Sequence, residues 1–176
     1  MAPGHAASRW ATYVAVIGPG AGATDKETET ARLVGSLLAD RGVIVVCGGL
    51  DGVMAAACEG AIASGGLTVG LLPGQDRISG NNYLSVVLPT GLGELRNGLV
   101  VRACDAVIAV GGSWGTLSEV ALAMHAGKPT IVIGGWTVDD PEYQRAEGLR
   151  TADSAAQAVE AALRQVVVSP GQGGTQ

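Results

Sequence analysis

The most constraining feature of the chain is the nine-residue stretch 111–119, GGSWGTLSE, between an apolar run and a helical pattern. Ala106–Val110 is short, apolar and β-branched, which predicts a buried strand. The apolar pattern after Glu119 predicts a helix that ends at Gly127, with Pro129 just beyond. A strand, a glycine-rich turn and a helix start form an anion site, because glycines admit a ligand close to the backbone N–H groups. The segment therefore predicts a ligand that carries a phosphate.

The same stretch also permits a purely structural interpretation. Thr116 and Glu119 have the spacing of a capping box, in which both side chains satisfy backbone N–H groups at the helix start. Such a cap requires fewer glycines than the three found here, which favours the ligand-binding interpretation. The predicted phosphate-binding residues are Gly111, Gly112, Ser113, Trp114, Gly115 and Thr116.

The length and composition are those of one globular domain. The chain has 176 residues, of which 47% are hydrophobic and only 3% aromatic, with no Phe. A core of Val, Leu, Ile and Ala is therefore expected. We predict a domain over residues 10–168 with flexible termini at 1–9 and 169–176.

The net charge and the cysteine pattern disfavour several classes of function. The net charge of −5 disfavours binding to nucleic acid or to an anionic membrane, since both depend on a positive field. Cys47, Cys58 and Cys104 lie in apolar sequence without a CxxC motif, so we expect small core residues rather than a zinc site or a disulfide framework. No metal site is predicted. No signal peptide or apolar run of membrane-spanning length is recognised, and a cytoplasmic protein is expected.

Apolar runs alternate with helical patterns along the chain. Strands are predicted at 13–17, 43–46, 67–72, 83–88, 106–110 and 130–133. Helices are predicted at 24–42, 52–64, 95–103 and 152–165, in addition to the one that ends at Gly127. Thr24 and Glu27 have the spacing of a capping box at the start of the first helix. This alternation predicts a single α/β domain with a doubly wound, Rossmann-like and mostly parallel sheet.

Two further glycine-rich turns are expected at the same edge of the sheet. Gly18 and Gly20 follow the first predicted strand, and Gly48, Gly49 and Gly52 follow the second, and all five are predicted to bind the ligand. Ligands in such sheets bind at the carboxyl ends of the strands, so the convergence of three turns there strengthens the prediction of a site. A G-x-G-x-x-G fingerprint is not present, which disfavours a dinucleotide cofactor. The GK[ST] sequence of a P-loop is also not present.

Three other residues are candidates with open alternatives. Asp51, before Gly52, is either the cap of the second helix or a contact to ligand hydroxyls or base edges. Arg96 is the cation placed to meet a phosphate or sugar, with a surface arginine as the alternative. Trp114 either stacks on a ligand ring or packs against a second subunit.

These residues together resemble a known family. GGLDGVM at 48–54, Arg96, and GTLSE at 115–119 are similar to the Lonely Guy (LOG) family, over residues from Tyr13 to about Leu163. The family signature is PGGxGTxxE, with an upstream Arg-Lys pair nine residues before an Asp, a spacing kept by Arg96 and Asp105. The resemblance implies that Arg96 and Glu119 occupy the catalytic positions. Members with the full motif hydrolyse the N-glycosidic bond of cytokinin riboside 5′-monophosphates.

The departures from the signature indicate a separate branch. The Pro-Gly-Gly of the family is Gly111-Gly112-Ser113 here, and its Lys after the Arg is Asn97. With Asn82 and Thr90, these residues resemble LOG-like molybdenum-cofactor carrier proteins, which bind a pterin phosphate without needing hydrolysis. The resemblance implies a carrier of a phosphorylated nucleotide-like or pterin ligand, with molybdenum cofactor as possible cargo, and a homodimer or higher homo-oligomer. The alternative is a nucleoside 5′-monophosphate phosphoribohydrolase. A lysine decarboxylase is not indicated.

Overall fold

The computed structural model describes residues 11–136 and 148–168. The flexible termini predicted at 1–9 and 169–176 lie outside the described residues. Of the described helices, none has both the length and the apolar character that crossing a bilayer would require.

A single seven-stranded sheet organises the described chain. Its strands are β1 (Tyr13–Ile17), β2 (Ile44–Cys47), β3 (Thr68–Leu72), β4 (Val86–Pro89), β5 (Ala106–Val110), β6 (Thr130–Ile133) and β7 (Leu149–Thr151). The order across the sheet is β4-β3-β2-β1-β5-β6-β7, and every neighbouring pair is parallel. The predicted α/β fold with a doubly wound parallel sheet is therefore confirmed. The order reverses between β1 and β5, which is the point where such sheets bind ligands.

Helices cover both faces of this sheet. They are α1 (Asp25–Ala39), α2 (Val53–Ala63), α3 (Asn97–Arg102), α4 (Trp114–His125) and α5 (Ala155–Val168). Helices α1, α2 and α5 pack over one face with Val14, Val16 and Ile108. Helices α3 and α4 cover the other face with Ile17 and Val107. The two cores consist mainly of Val, Ala, Ile and Leu, as the composition predicts.

The N-terminal cap of α1 is the one predicted from the sequence, whereas the caps of α2 and α4 differ from those that the sequence suggests. Thr24 and Glu27 form the predicted capping box of α1. The predicted Asp51 cap is wrong, because Gly52 is the N-cap of α2 and makes no side-chain cap bond. The Thr116–Glu119 capping box is also wrong. The N-cap of α4 is Ser113, and its hydroxyl accepts the Thr116 N–H at 3.2 Å.

The remaining differences concern short elements. Strand β7 was not predicted, because its three residues include the exposed Arg150 and Thr151 and form no apolar run. The helix predicted at 95–103 is a 3₁₀ turn at Gly93–Arg96 followed by α3. The strand predicted at 83–88 begins later, at Val86, and ends at Pro89, which an edge strand tolerates.

Candidate functional site

A cavity of about 660 Å³ opens at the carboxyl edge of the sheet, beside the reversal between β1 and β5. It is enclosed by the turn after β1, the start of α2, the segment from Gly93 to Gly98 and the first two turns of α4. Several residues predicted from the sequence line it together: Gly18, Gly20, Arg96, Asn97, Ser113, Trp114, Gly115, Thr116 and Glu119.

Other predicted ligand-binding residues lie outside this lining. Asp51 and Asn82 are exposed. The Thr90 hydroxyl donates to the Leu72 carbonyl at 2.7 Å, which ties the turn after β4 to the end of β3. Gly49 and Gly52 belong to the turn between β2 and α2 and are likewise not part of the cavity wall.

The most buried charged groups in the cavity wall form an ion pair. Arg96 comes from the end of the 3₁₀ turn and Glu119 from the second turn of α4. Arg96 Nη1 lies 3.8 Å from Glu119 Oε1, and the two side chains are only 8% and 9% exposed. Glu119 reaches this position because α4 begins at Trp114, which places residue 119 on the inner face of the helix instead of at its cap.

The Arg96 guanidinium is held by two further contacts. Nη2 donates to the Gly48 carbonyl at 3.2 Å, and Nη1 donates to Asn97 Oδ1. A Cβ at position 48 would lie only 2.4–2.7 Å from the guanidinium atoms, so a glycine is required for this approach. Within the described residues, Arg96 Nε is a buried donor without an acceptor. An unpaired buried donor is costly, and a bound anion at Arg96 would relieve that cost.

Burial shifts the ionisation of both partners. Desolvation raises the pKa of Glu119 from 4.5 to about 7, against the opposing effect of the Arg96 charge. Desolvation also lowers the pKa of Arg96, whereas Glu119 raises it. A carboxyl with a pKa near neutrality can exchange a proton at pH 7, which suits either acid–base chemistry or binding that is coupled to protonation.

The first turn of α4 supplies backbone donors to the same cavity. Ser113 satisfies the N–H of Thr116, and the two hydroxyls lie 2.9 Å apart. The N–H groups of Trp114 and Gly115 have no intrahelical partner because they belong to the first helical turn. Such donors, together with the positive end of the helix, favour an anion at this position.

Gly111 and Gly112 pack against residues outside the Arg96 cavity. Gly111 has φ +70°, and a Cβ there would lie 1.9 Å from Glu27 Oε1 on α1. A Cβ at Gly112 would collide with the Trp136 ring at 2.8 Å. Gly111 instead lines a second cavity of about 630 Å³ between the starts of α1 and α5, where the Glu27 carboxylate also lies. These two glycines are thus required by close packing, and only the Ser113–Thr116 part of the loop faces the Arg96 cavity.

Trp114 contributes an exposed aromatic surface to the cavity mouth. Its ring is 76% exposed and lies 4.9 Å from that of Trp136, centroid to centroid, with a 39° tilt. Trp136 Nε1 donates to the Ser113 carbonyl at 3.2 Å, which fixes the pair to the N-cap of α4.

Sequence reasoning missed part of the cavity wall. Leu50, Met54, Pro73, Leu95 and Leu122 also line it. Leu50 and Met54 belong to the GGLDGVM motif. Their closeness in sequence to the predicted ligand-binding residues Gly48 and Gly49 could have identified them as cavity residues.

Comparison with known proteins identifies the family. The SLOG cluster4 family model matches residues 11–165. The chain belongs to the SLOG cluster4 family. The LOG-like resemblance of the motifs is thereby confirmed. A relative of this SLOG cluster4 protein, an uncharacterised protein of Archaeoglobus fulgidus, is 41% identical over 131 residues, which cover 70% of this chain and 86% of the relative.

Two solved structures similar to this chain are proteins that bind or carry molybdenum cofactor. The molybdenum cofactor binding protein of Rippkaea orientalis is 34% identical to this SLOG cluster4 protein, with a TM-score of 0.81 over 92% of this chain and 100% of that one. The molybdenum cofactor carrier protein of Chlamydomonas reinhardtii is 33% identical, with a TM-score of 0.80 over 91% and 100% of the two chains. The predicted similarity to the carrier branch is confirmed by these matches.

Proposed function

We propose that this SLOG cluster4 protein is a carrier that binds molybdenum cofactor, a phosphorylated pterin, in the Arg96–Glu119 cavity. The observation that carries the proposal is its likeness, over the whole length of the other chains, to a molybdenum cofactor binding protein and a molybdenum cofactor carrier protein. The ligand would be cargo, held and released without a chemical step.

The chemistry of the cavity wall suits such a cargo. Arg96 is the only cation among the described residues that line it, and the first-turn N–H groups of α4 add neutral donors. A phosphate placed near these groups would accept hydrogen bonds from both. The Trp114 ring offers a surface on which a planar pterin can stack.

Glu119 is compatible with an anionic cargo because of its raised pKa. Around pH 7 a large fraction of this carboxyl is protonated, which reduces its repulsion of a nearby phosphate. Binding of a phosphate would raise the pKa further, so binding should take up a proton. The affinity for the phosphorylated ligand is expected to increase as the pH falls from 8 to 6. In Glu119→Gln the affinity should depend less on pH than in the wild type, because the amide does not titrate.

A hydrolase is the second candidate, favoured by the same Arg96–Glu119 pair. A carboxyl with a pKa near 7 could activate water or stabilise an oxocarbenium-like ribose, while Arg96 holds the phosphate or assists base departure. In that case Glu119→Gln should keep ligand affinity and lose base release, because the amide keeps the shape of the carboxylate but not its charge or basicity.

The deciding experiment is anaerobic loading with molybdenum cofactor released from a molybdoenzyme. After gel filtration, elemental analysis should find molybdenum bound to the wild-type protein and little bound to Arg96→Ala. Arg102→Ala removes an exposed arginine from α3 and serves as the matched control that retains molybdenum. A wild-type protein that elutes without molybdenum contradicts the carrier proposal. Release of free base from nucleoside 5′-monophosphates, followed by chromatography, would support the hydrolase instead.

A further inference from the structure

Two of the three cysteines form a close, buried pair. Cys47 is the last residue of β2 and Cys58 lies in the middle of α2. Their Sγ atoms are 3.5 Å apart, and both side chains are fully buried. A disulfide requires about 2.05 Å between the sulfurs, so bond formation needs a movement of about 1.5 Å.

The surroundings shift the pKa values of the two thiols in opposite directions. The hydrogen bond with Cys58, the Gly49 N–H at 3.3 Å from the sulfur and the Arg96 charge lower the pKa of Cys47, whereas its burial and the Glu119 charge oppose them. The pKa of Cys58 is raised, first by its hydrogen bond with Cys47 and then by burial. A thiol with a lowered pKa in contact with a second thiol can be oxidised to a disulfide, and the burial of both limits the oxidant to a small molecule that enters past the cavity floor.

The pair lies directly beneath the candidate ligand cavity. Leu50 and Met54 pack against the two cysteines and also line the cavity. Cys47 is followed by Gly48, whose carbonyl accepts a hydrogen bond from Arg96 at 3.2 Å and where an added Cβ would lie 2.4–2.7 Å from the guanidinium. A movement of Cys47 would therefore act on the cavity floor and on Arg96.

We propose that Cys47 and Cys58 form a reversible dithiol–disulfide site whose oxidation alters the Arg96 cavity. The oxidant is a hydroperoxide small enough to reach the sulfurs when the cavity floor opens. A ligand in the cavity covers Leu50 and Met54 and therefore slows the oxidation. Because coupling between two sites is reciprocal, oxidation of the cysteines in turn changes the affinity for the ligand.

The chemistry balances with one peroxide per disulfide. The Cys47 thiolate attacks one peroxide oxygen, the O–O bond breaks, and hydroxide leaves and takes up a proton as water. The resulting sulfenic acid is attacked by Cys58 sulfur, the S–OH bond breaks, and the hydroxyl leaves with the Cys58 proton as a second water. The two thiols are oxidised and the hydroperoxide is reduced. A dithiol reductant regenerates the two thiols by thiol–disulfide exchange and is itself oxidised to a disulfide.

The first test needs no ligand. Treatment of the reduced protein with hydrogen peroxide should remove about 2 Da, and peptide mapping should find the Cys47–Cys58 cross-link. Cys104→Ser should behave as the wild type, because Cys104 is buried elsewhere and burial raises its pKa to about 12. Cys58→Ala should form no intramolecular disulfide. Absence of the cross-link in wild type, or oxidation of Cys104 at the same rate, overturns the proposal.

The second test measures the coupling to the cavity. In ¹³C NMR titrations the pKa of Glu119 should differ between the oxidised and reduced forms, because Arg96 moves with Gly48. The affinity for guanosine 5′-monophosphate, which shares its 2-amino-4-oxo ring with pterins, should change by at least about fivefold. An oxidised protein with unchanged Glu119 titration contradicts the coupling. Failure of this nucleotide to bind the reduced protein would count against the proposed ligand class, whereas the mass and NMR results decide the redox site.

Discussion

The Arg96 guanidinium lies 3.8 Å from the Glu119 carboxylate, and both side chains are more than nine-tenths buried at the wall of one cavity. Removing two charges from water is costly, and an ion pair at this distance offsets that cost only in part. Asn97 and the Gly48 carbonyl supply further contacts to Arg96. An anionic ligand bound at Arg96 would replace Glu119 as the partner of the guanidinium.

Arg96→Ala should weaken binding of guanosine 5′-monophosphate by about ten- to a hundredfold, the equivalent of about 1.5–3 kcal/mol for a lost charge-assisted contact. Isothermal titration calorimetry is the suitable measurement. Arg102→Ala, on the exposed side of α3, should leave affinity within about twofold in low-salt buffer, since distant exposed charges are screened. Equal affinities in wild type and Arg96→Ala would show that the nucleotide binds elsewhere.

Stability should depend on pH through Glu119. Its pKa in the folded protein, about 7, lies above the ordinary 4.5, so the folded state binds a proton that the unfolded state has released. The associated stability is complete below pH 4.5 and is lost as the pH rises through 7, by about 3 kcal/mol at most.

Urea unfolding at pH 5 and pH 8 measures this dependence. The wild type should lose more stability over that interval than Glu119→Gln, which has no titrating group at the position. Parallel losses in the two proteins would mean that Glu119 is ionised with an ordinary pKa.

Gly48→Ala should disturb the cavity more than the fold. The added methyl meets the guanidinium at 2.4–2.7 Å, and the flexible end of Arg96 can yield, so the free energy of unfolding should change by about 1 kcal/mol or less. Nucleotide affinity should fall nearly as far as in Arg96→Ala. Gly22→Ala is the matched control, because a Cβ there meets nothing within 4 Å and Gly22 lies outside the cavity lining. A Gly48→Ala protein with full affinity would show that Arg96 need not be held in place.

Self-association is predicted to use the α3–α4 surface. Most apolar residues of helix α2 are buried within the subunit. Leu95 and Leu122 are instead 81% and 41% exposed beside the cavity. Light scattering should find a dimer or larger oligomer for the wild type and a smaller mass for Leu122→Asp. Leu33→Asp, at an exposed position on α1, should leave the mass unchanged. A wild-type monomer at micromolar concentration contradicts this prediction.

Much of the fold was predictable because it depends on short-range patterns. The β-branched runs that became β1 and β5 were recognised from their own residues, and the Thr24–Glu27 cap from a spacing of three. The three-residue strand β7 has no such pattern, since it exists through pairing with β6. The spacing of Thr116 and Glu119 also permits a capping box, but in the fold Ser113 is the N-cap of α4 and Glu119 is buried.

The residue types at the candidate site could therefore be identified from the sequence, whereas their arrangement depends on the tertiary structure. Local sequence pointed to Arg96 and the loop from Ser113 to Thr116 as candidates, and the family resemblance added Glu119. Only the packing of α3 and α4 on the sheet brought the two charges to 3.8 Å and buried them. The same folding turned Gly111 toward Glu27 and placed Cys47 against Cys58. Contacts between residues far apart in sequence, and the desolvation that accompanies them, depend on the whole fold and leave no periodic signal in the chain.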